Sequence, residues 1–121
     1  MSDVFKYIRW SRVFSLVGSE SVAPDIPGVY AYGSVSQERG LPTRIEWVYV
    51  GKAKSISARL RQHAALTEKN VALRDWLRSP VGGAEVWYAA VPLELLSATE
   101  ITLVRRLRPR FNTIKYRGGM Q

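Results

Sequence analysis

Three groups of residues in this chain have the types and spacing that chemistry requires. In residues 47–60, WVYVGKAKSISARL, Gly51, Lys52, Lys54 and Ser55 follow an alternating apolar run. Gly51 lets the backbone turn and admits a ligand where a side chain would block it. Ser55 suits the N-cap of a helix carrying Ile56, Leu60 and Ala64 on one side. Two lysines beside a helix N-terminus favour a phosphate, because free N–H groups and the helix dipole both attract an anion. A short basic turn that is merely solvated is the plain alternative. Glu100 is the second group. It falls with Leu96, Leu103 and Leu107 at helical spacing, a carboxylate in an apolar stripe. Such burial is costly unless the group is paired or binds a metal, which makes Glu100 a site candidate. A capping box running from Ser97 to Glu100, or an ion pair with an arginine, would explain it equally. The third group lies on the helix after Ser55. Arg59 sits at the edge of the inward face, Arg61 turns to solvent, and His63 lies close to the apolar stripe. A hydrogen-bonded histidine at the core edge is the simpler reading of His63, and a catalytic one the alternative.

The elements that must position these residues follow from local pattern. Residues 4–16 predict a helix, with Lys6, Arg9 and Arg12 as a basic stripe at every third position. Residues 18–27 hold two prolines and read as a loop. GVYAYG at 28–33 is a short strand with Gly28, Tyr30 and Tyr32 on one face and Val29 and Ala31 on the other. The polar segment 34–44 joins it, as a long hairpin, to the strand in which Trp47, Tyr49 and Gly51 alternate with Val48 and Val50. If Val29, Ala31, Val48 and Val50 share the buried face, Tyr30 and Tyr49 stand together on the opposite one. Cross-strand packing alone could account for two adjacent phenols. A second helix over 68–78, capped by Thr67, buries Leu73, Trp76 and Leu77. AEVWYAAV at 84–91 is the third strand. The last helix, which carries Glu100, ends at Pro109, and a basic tail follows.

Composition limits the function classes. The chain has 121 residues, 46% of them hydrophobic, as expected for one domain able to fold alone. Eighteen Lys and Arg against ten Asp and Glu give a formal charge of +8, pointing to a polyanion, nucleic acid before an anionic membrane surface. With no cysteine and one histidine, disulfide, thiolate and structural zinc chemistry are excluded. No apolar run marks a signal peptide or membrane span, so a cytoplasmic protein is expected. Asp3, Asp25 and Asp75 are scattered, so a site of several converging carboxylates is not expected either.

GVY at 28–30, YVG at 49–51, Arg59, Glu100 and RPRFN ending at Asn112 together resemble the GIY-YIG nuclease family, five elements in the family's order. YVGKAK followed by ARL is particularly similar to the N-terminal nuclease domain of the bacterial nucleotide-excision-repair incision protein. The resemblance covers 28–112, leaving 1–27 as an N-terminal helical extension and 113–121 as a basic tail of a single 1–121 domain. The segment between the two tyrosine motifs is longer than in the repair protein. The resemblance implies an α/β fold (α+β), with a small three-stranded, mainly antiparallel sheet flanked by helices. It also implies a metal-dependent DNA endonuclease, with DNA repair among its roles. Glu100 would hold one Mg²⁺ (or Mn²⁺), and Arg59 would face the transition state. Tyr30 would orient or deprotonate water, with Tyr49 beside it, and either phenol could be the base. A phenol near its ordinary pKa of about 10 needs positive neighbours to serve at neutral pH, and Lys52 could supply that field or bind phosphate. Gly28, Gly51, Lys52, Lys54, His63 and Asn112 would line the substrate side. A non-catalytic basic nucleic-acid-binding module on the same fold is the alternative.

Overall fold

The computed structural model describes residues 8–13, 22–64, 69–78 and 83–112. Among the described residues four strands form one antiparallel sheet: β1 (Ser11–Val13), β2 (Gly28–Glu38), β3 (Leu41–Ala53) and β4 (Gly83–Ala90), in the order β1-β4-β2-β3. Three helices among the described residues accompany it: α1 (Ile56–Ala64), α2 (Val71–Arg78) and α3 (Leu96–Leu107), the last entered through a 3₁₀ turn at Leu93–Leu95. The antiparallel sheet with flanking helices agrees with expectation, but it has one strand more than the three expected.

The extra strand stands where the N-terminal helix is expected. Arg12 pairs across β4 with Trp87, and its guanidinium reaches back to the buried Glu85 through contacts of 2.5 and 2.7 Å. A fork-to-fork pair of this kind fixes the strand register, and the Arg12 guanidinium also lies 5.0 Å from the Trp87 ring centre. The every-third-residue basic pattern is therefore not a helical face where it can be checked: Arg12 lies in β1 and Arg9 in the irregular segment before it. The flanking residues 1–7 and 14–21 lie outside the described residues, as does the basic tail at 113–121.

Both faces of the sheet are covered. Tyr30, Tyr32 and Val86 pack with Ile56 and Leu60 of α1 and Leu73 and Trp76 of α2. Val29, Ala31, Val50 and Ala89 pack with Leu96, Leu103 and Val104 of α3. Each Val, Leu or Ile among them, fully buried, contributes about 1.5–3 kcal/mol relative to exposure.

The expected parity of β3 fails at one residue. Tyr32 pairs with Tyr49 but Gly33 pairs with Trp47, so Val48 is an extra residue, a β-bulge. Val48 therefore joins the Tyr30 side of the core, while Trp47 packs on the α3 side. Val29, Ala31 and Val50 share a face as expected; Val48 does not. The long hairpin expected over 34–44 forms, and most of the segment is strand. β2 and β3 continue to a two-residue turn at Arg39 and Gly40, whose φ values of 52° and 89° match a type I′ hairpin. β4 covers the predicted third strand except Val91.

Helix starts also differ in detail. Ser55 caps α1 as expected, its Oγ accepting the Ala58 N–H at 3.2 Å. α2 is capped by Asn70, whose Oδ1 accepts the Leu73 N–H at 3.1 Å, and it starts at Val71. The expected cap Thr67 lies outside the described residues. α3 has Leu95 at its N-cap with no side-chain cap, so the Ser97–Glu100 capping box does not form. Arg108 ends α3 in the left-handed region at φ 49°, immediately before Pro109.

Candidate active site

The site begins with a gap in the side-chain pattern of β3. Gly51 lies opposite Tyr30, and a Cβ there would collide with the Tyr30 hydroxyl and ring. The space is filled by a phenol, not by an incoming ligand. Gly28 is likewise closed, because a Cβ would meet the Ala89 carbonyl and the Ile56 side chain. Both glycines serve packing and allow the approach of neighbouring groups, in place of the substrate-side role expected of them.

Tyr30 is fully buried, and its hydroxyl hydrogen-bonds His63 Nε2. His63, in the last turn of α1, is only 1% exposed and touches three phenol rings edge-on. The ring centres of Tyr30, Tyr32 and Tyr49 lie 5.4, 6.0 and 5.3 Å from its own. Tyr30 and Tyr49, 6.3 Å apart, stand together as strand alternation predicts. Burial pushes the Tyr30 phenol well above its ordinary pKa, and the neighbouring Tyr49 adds to this, while the Arg59 guanidinium opposes it. The expected activation of this phenol by a lowered pKa is therefore not found.

Arg59 stands in the first turns of α1, part-buried, with its Nη1 donating to Gln62 Oε1 at 2.8 Å. Arg61 is exposed, as its angular position predicts. On the other side of the sheet, Glu100 is buried in the second turn of α3. Lys52 Nζ donates to Ser97 Oγ at 2.7 Å and lies 4.0 Å from Glu100 Oε1. α1 and α3 both start at the sheet end where Gly28 pairs with Ala53 and Ala90. Arg59 and Glu100 therefore flank one end of the sheet.

Two elements expected at the site work differently in the folded chain. The α1 N-terminus does not offer free N–H groups to a phosphate. Ile56 and Ser57 donate to the carbonyls of Ile26 and Pro24 at 3.0 and 3.1 Å, and Ser55 takes the Ala58 and Arg59 N–H groups. What remains for an anion is the side-chain charge of Lys52 and of the exposed Lys54. Asn112 faces protein, not ligand: it accepts the Val50 N–H at 2.9 Å and donates to the Val50 carbonyl at 2.7 Å. Ser97, Gln62 and Tyr32 join the site without having been expected there. Tyr32 shares strand parity with Tyr30, and Gln62 is three positions from Arg59 on a helix, so both carry a spacing signal.

The residues present fit one hard cation. Among the described residues no group of three or more His, Cys, Asp or Glu converges. Glu100 thus offers a single buried carboxylate. Mg²⁺ is commonly held by one or two carboxylates, with waters and substrate phosphate completing its shell.

No family model matches the chain. It is 32% identical over 105 residues to UvrABC system protein C of Carboxydothermus hydrogenoformans, 87% of this chain and 15% of that protein. With the protein of the same name from Rhodopseudomonas palustris the identity is 34% over 93 residues, 77% of this chain and 12% of the relative. The chain thus spans less than a sixth of the curated relatives it matches. Its fold matches the crystal structure of the GIY-YIG N-terminal endonuclease domain of UvrC from Thermotoga maritima bound to its catalytic divalent cation, magnesium. The TM-score is 0.54 at 24% identity, over 81% of this chain and 96% of that one. A point mutant of the same domain matches with a TM-score of 0.54 at 23% identity, covering 81% and 94%. The chain is therefore similar in sequence to UvrC and has the fold of its GIY-YIG domain. Among the described residues no helix is long and apolar enough to cross a membrane.

Proposed function

We propose that this chain, built on the GIY-YIG fold, is a metal-dependent endonuclease that hydrolyses DNA phosphodiester bonds in the cytoplasm. The observation that carries the reading is the Tyr30–His63–Tyr49 cluster under the charge of Arg59, at the sheet end that Lys52 and Glu100 also occupy. Glu100 would hold Mg²⁺ (or Mn²⁺). When bound, the cation supplies Lewis-acid polarisation of the scissile phosphate and stabilises the leaving 3′ oxygen. The remaining work falls to side chains. Arg59 sets a permanent positive charge, on a fixed planar fork, against the charge that develops on the pentavalent phosphorus. Lys52, 39% exposed at its side chain, can turn from Ser97 to a phosphate oxygen. Tyr30 is held neutral by burial and so does not start as a phenolate. In the His63 tautomer whose Nε2 accepts, the hydrogen bond gives Tyr30 a route: as the phenol passes its proton to the imidazole, it takes one from the attacking water. Tyr49, partly exposed beside it, orients that water.

The test is Glu100→Gln, which keeps the size of the side chain and removes its charge. The variant should fold with a near-parental melting temperature, bind DNA and fail to cut at saturating Mg²⁺, as the parent should fail in EDTA. A variant that melts much earlier yet cuts at the parental rate makes Glu100 a structural residue. Parent protein that binds DNA but never cuts it, with Mg²⁺ or Mn²⁺, leaves a binding module on this fold.

A further inference from the structure

Among the described residues the hairpin of β2 and β3 runs past the rest of the sheet. β4 pairs with β2 as far as Gly83 opposite Val35, so among the described residues, 36–44 extend beyond it as a two-stranded ribbon. Its residues from Ser36 onward are exposed, and Thr43 Oγ1 donates to the Ser36 carbonyl at 3.2 Å across a second bulge. Arg44 pairs with Ser36 and Glu46 with Ser34, so both lie on the face of β3 that carries Tyr49. The chain after α3 returns along the outer edge of this strand. Arg110 and Phe111 donate their N–H groups to the carbonyls of Trp47 and Val48 at 3.3 and 2.7 Å. That return places the Arg110 side chain, 55% exposed, 3.4 Å from Glu46 and 5.2 Å from the Phe111 ring centre. The exposed pair with Glu46 occupies one nitrogen of a group with five N–H donors and is of little energetic weight.

We propose that Arg44 and Arg110 form a phosphate-binding margin on the outer half of β3, which holds the DNA backbone away from the cleavage point. The proposal rests on the reading of DNA as substrate. Gly51, under which Tyr30 sits, and Arg44 are seven strand positions apart, on the order of 20 Å at about 3.3 Å per residue. DNA rises about 3.4 Å per nucleotide along each strand, so the margin meets backbone roughly six base pairs from the scissile phosphate. The ribbon is of a kind that can lie against a groove.

The experiment compares the parent with the double variant Arg44→Ala/Arg110→Ala and with Arg105→Ala, an exposed charge on α3, across the sheet. Binding to a 30-base-pair duplex is measured by fluorescence anisotropy in EDTA over a salt series, and cleavage is measured separately with Mg²⁺. Loss of two phosphate contacts should reduce the slope of log K against log salt by about 1.8 and raise KM severalfold, with kcat kept. Arg105→Ala should leave the slope unchanged. A double variant with the parental slope overturns the proposal, as does an equal change in Arg105→Ala, which would reflect net charge alone. Because binding is read without metal, parent protein that binds but does not cut sinks the nuclease reading and still tests this margin. Parent protein that does not bind DNA sinks both.

Discussion

Arg59 and Arg61 are two positions apart on one helix and meet different surroundings. Arg59 is part-buried, bonded to Gln62, and its charge acts on the Tyr30 phenol; Arg61 is exposed. Arg59→Ala should reduce turnover at saturating DNA by about a hundredfold or more, the usual loss when one preorganised charge-stabilising donor is removed. Arg61→Ala should change affinity alone, and less so at high salt. Equal loss of kcat in the two variants would mean that the helix presents a different face to the substrate. Tyr30 makes a prediction in pH. Its folded pKa is raised, so the folded state keeps a proton that the unfolded chain releases near pH 10. The associated stability is complete below about pH 10 and is lost as pH rises through the folded value. Thermal melts from pH 8 to 11 should therefore fall more steeply in the parent than in Tyr30→Phe. Parallel curves would place the titrating phenol elsewhere.

Asn112 acts on an element instead of on the substrate. By bonding both the N–H and the carbonyl of Val50 it imitates a neighbouring strand on the outer edge of β3. Asn112→Ala would leave two buried backbone groups without those partners, at a cost of about 2 kcal/mol. A melting curve with the parental midpoint would contradict this. The RPRFN pattern points to Asn112, but spacing alone does not say whether an amide faces a ligand or a backbone. The same limit explains what is legible at this scale. Strand alternation brings Tyr30 beside Tyr49, because hydrophobic parity survives wherever the ladder is regular. It misplaces Val48 because a bulge adds one residue without any change in residue type. The start of the chain reads as helix since Arg12 recurs at three-residue spacing. Its strand is decided by Glu85, 73 positions away, which no local window contains. Glu100 is legible as a buried carboxylate. Its capping role fails because a 3₁₀ turn shifts the helix start to Leu96.

At the scale of the molecule, the formal charge of +8 divides into cations engaged with protein and cations open to a polyanion. Arg12 is joined to Glu85 and Arg74 to Asp75, while Lys52 stands between Ser97 and Glu100. Arg44, Lys54, Arg61 and Arg110 are exposed. Affinity for DNA should come mostly from the exposed set, through release of the counterions that condense on phosphate. Turnover should depend on groups that solvent screens little: Glu100, with 6% of its side chain exposed, and the buried Tyr30–His63 pair. The two quantities should therefore separate with ionic strength. Between about 50 and 200 mM salt the dissociation constant should rise by orders of magnitude if about six or more phosphates are contacted. The rate of cleavage at DNA concentrations saturating under each condition should change by less than about threefold, since a Debye length of roughly 8 to 10 Å matters for exposed charges and hardly for buried ones. A turnover rate that falls in step with affinity would place the reacting phosphate out in solvent, beyond the reach of the buried tyrosine and histidine.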